Sequence, residues 1–410
     1  MEFYRSLTDK VLSGLKRSPA ILLVGARQSG KTFLMKEIAK EREYNYKTFD
    51  NVPTLASAHH DPVGFISELP KPAILDEVQR VPELFLPIKA DIDENRTPGR
   101  YALTGSANPL VVPKLGDSLA GRMLLYELFP LSQGEIEGKK EGFLDRVFSE
   151  EFSFSGPCEF SKAELIARMS RGGYPEMQKF SEGNERREWV DSYLSLAMQK
   201  DIQDLSKVEG LGQLPNLLVT LATRIGSLLN FSDLSNGAGI PVTTLRRYIQ
   251  LLHSLFLVKT LPPWSRNIGK RLVKSPKIYF IDTAILLQLL NFSEGRLVQT
   301  PTVLGAATEN FVVLELFKQI SWSSQRIQMF HFRTETRNEV DLVLENEMGK
   351  IVGIEIKSSE TVRADDFKHF QYLRESARDS FARGIVLYAG NQILSFGPDL
   401  IAAPISVLWK

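Results

Sequence analysis

One stretch near the N-terminus, PAILLVGARQSGKTFLMKEIAK (19–40), leaves this chain few ways to fold. Ala20 to Val24 form an apolar run of the kind a strand buried on both faces needs. The turn that follows reads Gly25-x4-Gly30-Lys31-Thr32, and Leu34, Ile38 and Ala39 then recur at helical spacing. A buried strand, a glycine-bearing turn and a helix in that order wrap successive N–H groups around a phosphate at the helix N-terminus. The residues predicted to line a nucleotide are Gly25, Ala26, Arg27, Gln28, Ser29, Gly30, Lys31, Thr32 and Phe33. Lys31 would reach the β- and γ-phosphates, and the Thr32 hydroxyl would join a Mg²⁺ shell. With average residue usage the bare pattern arises by chance in roughly 1% of chains this long. The flanking strand and helix lower that further, so a plain glycine turn with a capping threonine is the weaker reading.

A chain that opens on a nucleotide-binding βα unit belongs to the α/β class, and 410 residues are enough for two or three domains. Formal net charge is +1, so no global field draws in nucleic acid or membrane, and a basic footprint has to be local. The single cysteine, Cys158, excludes an internal disulfide and fits a reducing compartment. The N-terminus has no apolar signal-type core and no run approaches a membrane span, so the expected location is the cytoplasm.

Two more strands are expected to end at the same site. KPAILDEVQR carries Asp76 and Glu77 directly after an apolar run. An aspartate there can hold Mg²⁺ beside the P-loop, and the adjacent glutamate can orient and deprotonate a water. The bland alternative is an acidic strand end capping the next helix. RYALTGSAN ends in Thr104, Ser106 and Asn108, which could hydrogen-bond a lytic water or a phosphate. Arg122, in SLAGRMLLYELFPLS, would either sense a γ-phosphate in its own or a neighbouring subunit or merely pair with a carboxylate.

Taken in order, GARQSGKT, LDEVQR, LTGSA, SLAGR and LFPLS resemble the prokaryotic AAA-type ATPases that carry a C-terminal domain of largely unknown function. GGYPE (172–176), SPKIYFIDTAI (275–285) and EVDLVLENEMGKIVGIEIKSS (339–359) extend the resemblance over nearly the whole chain. It implies an AAA-like P-loop core, a helical and winged-helix-like middle and a nuclease-like C-terminal domain. One departure is QKDI at 199–202, where the family commonly has Arg-Asp-Ile. Lysine cannot reproduce a bidentate arginine contact.

Residues 136–225 read as helical packing without chemistry of their own. After them, NFSDLSNGAGIPVTTLRRYIQLLHSLFLVKTLPPW has helix-turn-helix spacing. Ser232 is expected to cap a short helix and Gly237 to Pro241 to turn the chain. A second helix should start at Val242, with Leu245, Ile249, Leu252 and Leu255 or Phe256 inward. Leu257–Leu261 and Lys277–Ile281 would then pair like a wing. Eight basic residues (Arg246, Arg247, Lys259, Arg266, Lys270, Arg271, Lys274, Lys277) and no acidic one fall between 246 and 277. That reads as a local phosphate-attracting patch, against the alternative that such segments only pack on their neighbours.

In the C-terminal stretch, Gly349 marks a turn between two strand-like runs. If Glu345 faces Ile351, residue numbers across the pair sum to 696 and Asp341 falls opposite Glu355. Facing carboxylates repel in a plain hairpin, and a divalent cation removes the objection. Lys357 follows on the same face. Glu309 lies on the apolar stripe of the preceding helix, with Glu315 and Lys318 expected on its solvent face. Helix-Glu, strand-Asp and Glu-x-Lys make the PD-(D/E)xK pattern, and the resemblance implies a restriction-endonuclease-like fold in which Asp341 and Glu355 hold Mg²⁺ for phosphodiester cleavage. The bland reading is a retired site or surface charges.

The expectation is therefore an α/β protein in four parts: a P-loop core (1–135), a helical segment (136–225), a winged-helix-like segment (226–290) and a nuclease-like domain (295–410). Lys31 and Glu77 would act on ATP with Mg²⁺ at Thr32 and Asp76, with Thr104 and Arg122 near the nucleotide. Glu309, Asp341, Glu355 and Lys357 would cut nucleic acid, DNA before RNA. No membrane is involved, and a homo-oligomer is implied if Arg122 acts in trans. The alternative is an ATP-dependent switch or scaffold whose C-terminal domain only binds DNA or protein. A P-loop kinase or transferase is disfavoured by Asp76-Glu77.

Overall fold

Every residue of β1 (Ala20–Val24), the strand that feeds the P-loop, is buried, as its unbroken apolar run requires. The computed structural model of the chain describes residues 3–106, 119–149, 160–197, 211–273, 275–336 and 338–409. Asn108, Cys158, Lys200 to Ile202 and Lys274 lie outside the described residues. Two compact units emerge. One holds the chain through Leu131 with the short stretches Tyr174–Glu176 and Leu251–Leu257, and the other holds the remainder. Apart from those two short stretches, the helical, winged-helix-like and C-terminal segments expected from the sequence fall in one unit.

In the first unit β1 joins β2 (Asn45–Thr48), β3 (Ala73–Asp76), β4 (Tyr101–Gly105) and β5 (Met123–Glu127) in an all-parallel sheet of order β2-β3-β4-β1-β5. The chain passes from β1 to β2 on one side, and from β4 across β1 to β5 on the other. That reversal opens a crevice at the carboxyl ends of the strands, which is where ligands bind in open α/β sheets. The loop after β1 sits there, and Gly30, at φ 101°, starts the helix Lys31–Arg42.

In the second unit β6 (Val258–Leu261) pairs antiparallel with β7 (Lys277–Phe280), two strands close to the expected positions. The helices before them are Phe231–Ala238 and Val242–Ser254. The first is capped by Asn230, whose side chain accepts the N–H groups of Ser232 and Asp233; Ser232, the expected cap, is already helical. The helix starts earlier than expected, so Ser232 stands inside its first turn and its own N–H is one of the orphan donors that Asn230 satisfies.

The rest of this unit is a six-stranded mixed sheet of order β12-β13-β11-β10-β9-β8, with β8 Ile327–Arg333, β9 Glu339–Asn346, β10 Ile351–Lys357, β11 Phe381–Tyr388, β12 Leu394–Gly397 and β13 Leu400–Pro404. β8, β9 and β10 run antiparallel, β10 and β11 parallel, and the helix Phe370–Ala377 crosses between the last two. Phe370 and Leu373 on that helix join Val343, Val386 and Ala402 in one apolar cluster. Truncating Phe370 to alanine would cost about 3–5 kcal/mol.

Two polar connections centre on the helix Pro301–Trp322. Asn310 takes the Phe280 N–H at 2.9 Å and donates to Thr283 Oγ1 at 3.1 Å. Glu315 and Lys318 are not on a solvent face as expected: they are 0% and 4% exposed and pair with each other at 2.6 Å. The helix is enclosed on all sides over its second half, so a periodic apolar stripe underestimates its burial. Glu315 also accepts the N–H of Gln133 at 2.8 Å, which supplies the partner a buried carboxylate demands. The motifs GGYPE and SPKIYFIDTAI meet here as well. Asp282 caps the helix Thr283–Leu289 through the Ala284 N–H and accepts the Gly173 N–H at 2.6 Å. Among the described residues no helix is long and apolar enough to cross a membrane.

Candidate functional sites

The P-loop closes on itself. Gly25 has no side chain because an added Cβ would lie 2.2 Å from the Leu128 carbonyl oxygen. Lys31 is 4% exposed, and its ammonium donates to the carbonyls of Gly25 at 2.9 Å and Ala26 at 2.8 Å. Ala26 and Ser29 are buried, Arg27, Gly30 and Thr32 half-buried, and Gln28 and Phe33 exposed. Asp76, 1% exposed at the end of β3, stands next to this loop and accepts three hydroxyls. Thr32 donates at 3.1 Å, Tyr46 at 2.7 Å and Thr104 at 2.5 Å. The Thr32 hydroxyl and Asp76 carboxylate side by side are the donor set a hard, oxygen-ligated Mg²⁺ needs next to phosphates.

Glu77 follows in the left-handed region, φ 61°, which turns its carboxylate out of the strand line. It accepts the Ser106 hydroxyl at 2.9 Å and the Gln79 side-chain amide, and Gln79 also donates to Ser106 at 2.9 Å. Thr104 corrects the sequence reading. It is 0% exposed, its hydroxyl donates to the Asp76 carboxylate and accepts the Glu77 backbone N–H at 2.9 Å, so it ties the Asp76 side chain to the backbone of Glu77.

Arg122 is corrected too. β1 and β5 pair in parallel from Ala20↔Met123, so Arg122 lies at the amino end of the sheet while the P-loop leaves the carboxyl end. Five residues of strand separate them, roughly 16 Å. Its guanidinium grips Asp93 at 2.5 and 3.0 Å. The nucleotide crevice of its own chain is out of its reach.

Three contributors to this site escaped sequence reasoning. Arg5 donates to the carbonyls of Ser29 and Phe129, both at 2.6 Å, and so ties the P-loop to the segment after β5. Tyr46 and Gln79 orient Asp76 and Glu77. Gln79 lies inside the LDEVQR motif, two residues from Glu77, and was legible in principle. Arg5 and Tyr46 come from elements whose sequences carry no motif.

A second constellation lies in the other unit. β9 and β10 pair as Ile351↔Glu345, Val352↔Leu344, Gly353↔Val343 and Ile354↔Leu342, the expected register. The ladder then ends. Asp341 is not paired with Glu355 across it, because its carboxylate itself accepts the Ile356 N–H at 2.9 Å. Glu355, 7% exposed, takes the Lys357 ammonium on one oxygen at 2.9 Å, and its other oxygen is buried without a partner. Burial and the nearby Asp341 push the Glu355 carboxyl up to about 8.

Glu309 does face this region, but it is engaged otherwise than expected. One of its oxygens accepts Lys277 at 3.0 Å and the Tyr279 hydroxyl at 2.7 Å. Lys277, placed by the sequence reading in a phosphate-attracting patch, is 1% exposed and bridges Glu309, Glu339 at 2.6 Å and Asp341 at 3.9 Å. Burial opposes its charge, and the three carboxylates more than compensate, raising its pKa above the ordinary lysine value. Burial likewise lifts Glu309 to about 7, with Lys277 opposing and Asp341 adding to the rise. Among the described residues no group of three or more His, Cys, Asp or Glu side chains is arranged to hold a metal. What remains is a pair, Asp341 and Glu355, with one buried oxygen free, a set that fits a single hard cation.

The basic patch shrinks accordingly. Arg271 forms a bidentate pair with Glu345 at 2.6 and 3.2 Å and lies over Phe330. Arg246, Arg247 and Arg266 stay exposed, with Arg246 over the Phe231 ring.

Comparison with known proteins gives three family matches along the chain. Residues 17–137 match the family described as AAA domain, 162–296 a domain of unknown function (DUF8612) and 304–408 another (DUF4143). The chain is similar to uncharacterized proteins of Mycobacterium tuberculosis and Mycobacterium bovis, each 29% identical over 402 residues, 98% of this chain and 83% of theirs. An uncharacterized protein of Methanocaldococcus jannaschii is 21% identical over 85% of this chain and 77% of its own. Among solved structures, a Walker-type ATPase of Pyrococcus abyssi covers 70% of this chain and 96% of its own at 16% identity and a TM-score of 0.41. With its P-loop and its parallel sheet, the segment 17–137 has a P-loop ATPase-like fold and is similar to the AAA domain family.

Proposed function

We propose that this chain is a Mg²⁺-dependent ATP hydrolase whose nucleotide state governs a nucleic-acid-binding, metal-dependent nuclease-like C-terminal domain. The observation that carries the first half is the cluster of Thr32, Asp76 and Glu77 at the mouth of the P-loop. Lys31 would leave the carbonyls of Gly25 and Ala26 for the phosphates, and Thr32 and Asp76 would hold Mg²⁺, which neutralises phosphate charge when bound. Glu77, aimed by Ser106 and Gln79, would orient the attacking water.

The second half is supported by Asp341, Glu355 and Lys357, which converge where the β9–β10 ladder ends. A divalent cation held by Asp341 and Glu355 would supply an activated water, and Lys357 would steady the phosphate. Arg246, Arg247 and Arg266 are the exposed charges through which a nucleic acid would be held. Arg122 would serve a neighbouring subunit's nucleotide in a homo-oligomer.

The engagement of Glu309 by Lys277 favours a second reading, in which the C-terminal domain binds without cutting and the chain is an ATP-dependent switch. Incubation with DNA and RNA, with Mg²⁺ or Mn²⁺, with and without ATP, separates the two. Metal-dependent cutting that disappears in Asp341→Ala supports the nuclease. Intact ATP turnover with no cutting of any substrate leaves the switch, and loss of turnover in Lys31→Ala assigns it to the P-loop.

A further inference from the structure

Lys277 reaches the acidic pocket from β7, whereas the carboxylates around it come from the helix Pro301–Trp322 and from β9. Its backbone is fixed, since β7 pairs with β6 at Leu261↔Lys277 and a further bridge joins Lys277 to Leu228. A flexible, strongly hydrated ammonium is an expensive group to bury at 1% exposure, and it stays charged there only because its partners surround it. Two of its three donors are spent on Glu309 and Glu339, at 3.0 and 2.6 Å, and Asp341 lies 3.9 Å away. The remaining neighbours complete the compensation: Tyr279 donates to Glu309 and Arg333 pairs with Glu339 at 3.3 Å. One compact positive charge thus sits among three carboxylates that would repel one another without it. On its far side Asp341 keeps company with Glu355, whose second oxygen is buried and without a partner.

We propose that Lys277 is the resident cation of this pocket: it fills the position of a second divalent ion, so that the site takes one metal ion, between Asp341 and Glu355, and none at Glu309 and Glu339. The proposal rests on the metal-site reading of Asp341 and Glu355 and makes the proposed phosphodiester chemistry a one-metal reaction. In it the Lys277 ammonium supplies the charge that the partner ion of a two-metal clamp would bring. The C-terminal domain would then be electrostatically complete only with the segment that carries Lys277.

The test is a Mn²⁺ titration of the full chain without nucleotide, by calorimetry and electron paramagnetic resonance. Binding to an Asp341→Asn/Glu355→Gln double variant is subtracted as background. The expected count is one ion for the natural chain and two, close enough to couple magnetically, for Lys277→Met. Two ions in the natural chain, or an unchanged count and affinity in Lys277→Met, would overturn the proposal. No ion in the natural chain with one gained in Lys277→Met would remove the metal reading of Asp341 and Glu355 while upholding the role of Lys277. Because Lys277→Met leaves three carboxylates uncompensated, its melting is followed in parallel with EDTA and with Mn²⁺. Stabilisation by Mn²⁺ should exceed that of the natural chain by about 5 °C or more. A variant that Mn²⁺ fails to rescue shows that the pocket cannot exchange lysine for a divalent ion.

Discussion

Lys31 donates its ammonium to the carbonyl oxygen of Gly25 at 2.9 Å, so the P-loop's one buried cation is satisfied by the loop's own backbone. Phosphate must displace those carbonyls and offers a charged acceptor in their place. Lys31→Ala should therefore weaken ATP binding by about 10- to 100-fold, the value of one hydrogen bond to a charged group. Stability should change by less than about 1 kcal/mol, because the Gly25 and Ala26 carbonyls that lose a partner are neutral. Titration with a fluorescent ATP analogue, beside urea unfolding, checks both. Undiminished affinity would mean that the lysine stays parked in the bound state.

Tyr46 donates to Asp76 at 2.7 Å from the neighbouring strand β2. Burial and this bond to Asp76 both raise the tyrosine pKa, so the hydroxyl remains a donor at every working pH. Tyr46→Phe removes one of three hydroxyls that hold the Asp76 carboxylate and should cost about 1 kcal/mol of stability. Asp76 would keep Thr32 and Thr104 but lose its orientation toward the metal. The expected signature is a several-fold higher Mg²⁺ requirement for ATP turnover, with nucleotide binding in EDTA unchanged. An equal loss with and without Mg²⁺ would point to a general packing defect.

Arg122 is held by Asp93 at 2.5 Å, at the end of the sheet away from the P-loop. Arg122→Ala should leave the ATP affinity of a dilute chain unchanged. Turnover per chain should fall only at concentrations where subunits associate. Sedimentation with an ATP analogue and a concentration series of turnover decide this. A loss of turnover that does not depend on concentration would end the in-trans role.

The first site was legible because its parts are local. A P-loop is one strand, one turn and one helix in sequence, and Asp76 and Glu77 end another strand of the same sheet. The hairpin register also followed from alternation and one turn glycine, through Ile354↔Leu342. Lys277 was misread because charge counting along the sequence ignores where a strand points: the last residue of a basic run, it turns inward to carboxylates more than thirty residues away. Glu315 and Lys318 failed for a related reason. Helical periodicity assumes one solvent face, and a helix enclosed by its own unit has none.

Gly172 opens GGYPE with φ 68°, in the left-handed region, and an added Cβ would fall 2.3 Å from Asp282 Oδ1. Backbone strain and a clash with a buried carboxylate act together. Gly172→Ala should destabilise the second unit by about 2 kcal/mol or more, without changing nucleotide affinity. Asp282→Asn keeps the shape but only one acceptor oxygen, and the Ala284 and Gly173 N–H groups use different oxygens, so one buried hydrogen bond is lost and the variant should be the milder of the two. Thermal unfolding of both variants tests the ranking, and a neutral Gly172→Ala would show that the turn can relax.

His331 is 2% exposed on β8, and its Nε2 lies 3.2 Å from the Ser275 carbonyl oxygen, which requires the neutral ring to carry its proton there. Burial lowers its pKa to about 4, helped by the nearby Lys277 and Arg333 and opposed by Glu339. The unfolded chain binds the proton near pH 6.5, so between about 4 and 6.5 the unfolded state holds more protons than the folded one. Stability from this residue is then complete above pH 6.5 and is lost as pH falls toward 4, by on the order of 3 kcal/mol. Glu309 and Glu355, with raised pKa values, change stability in the opposite direction over part of the same range. The comparison must therefore be made against His331→Gln, which retains a donor for Ser275 and does not titrate. Urea unfolding between pH 4 and 7 should show the natural chain losing stability relative to His331→Gln as the solution is acidified. A difference that stays flat across that interval would mean that His331 can be protonated inside the fold, with Glu339 turning to receive it.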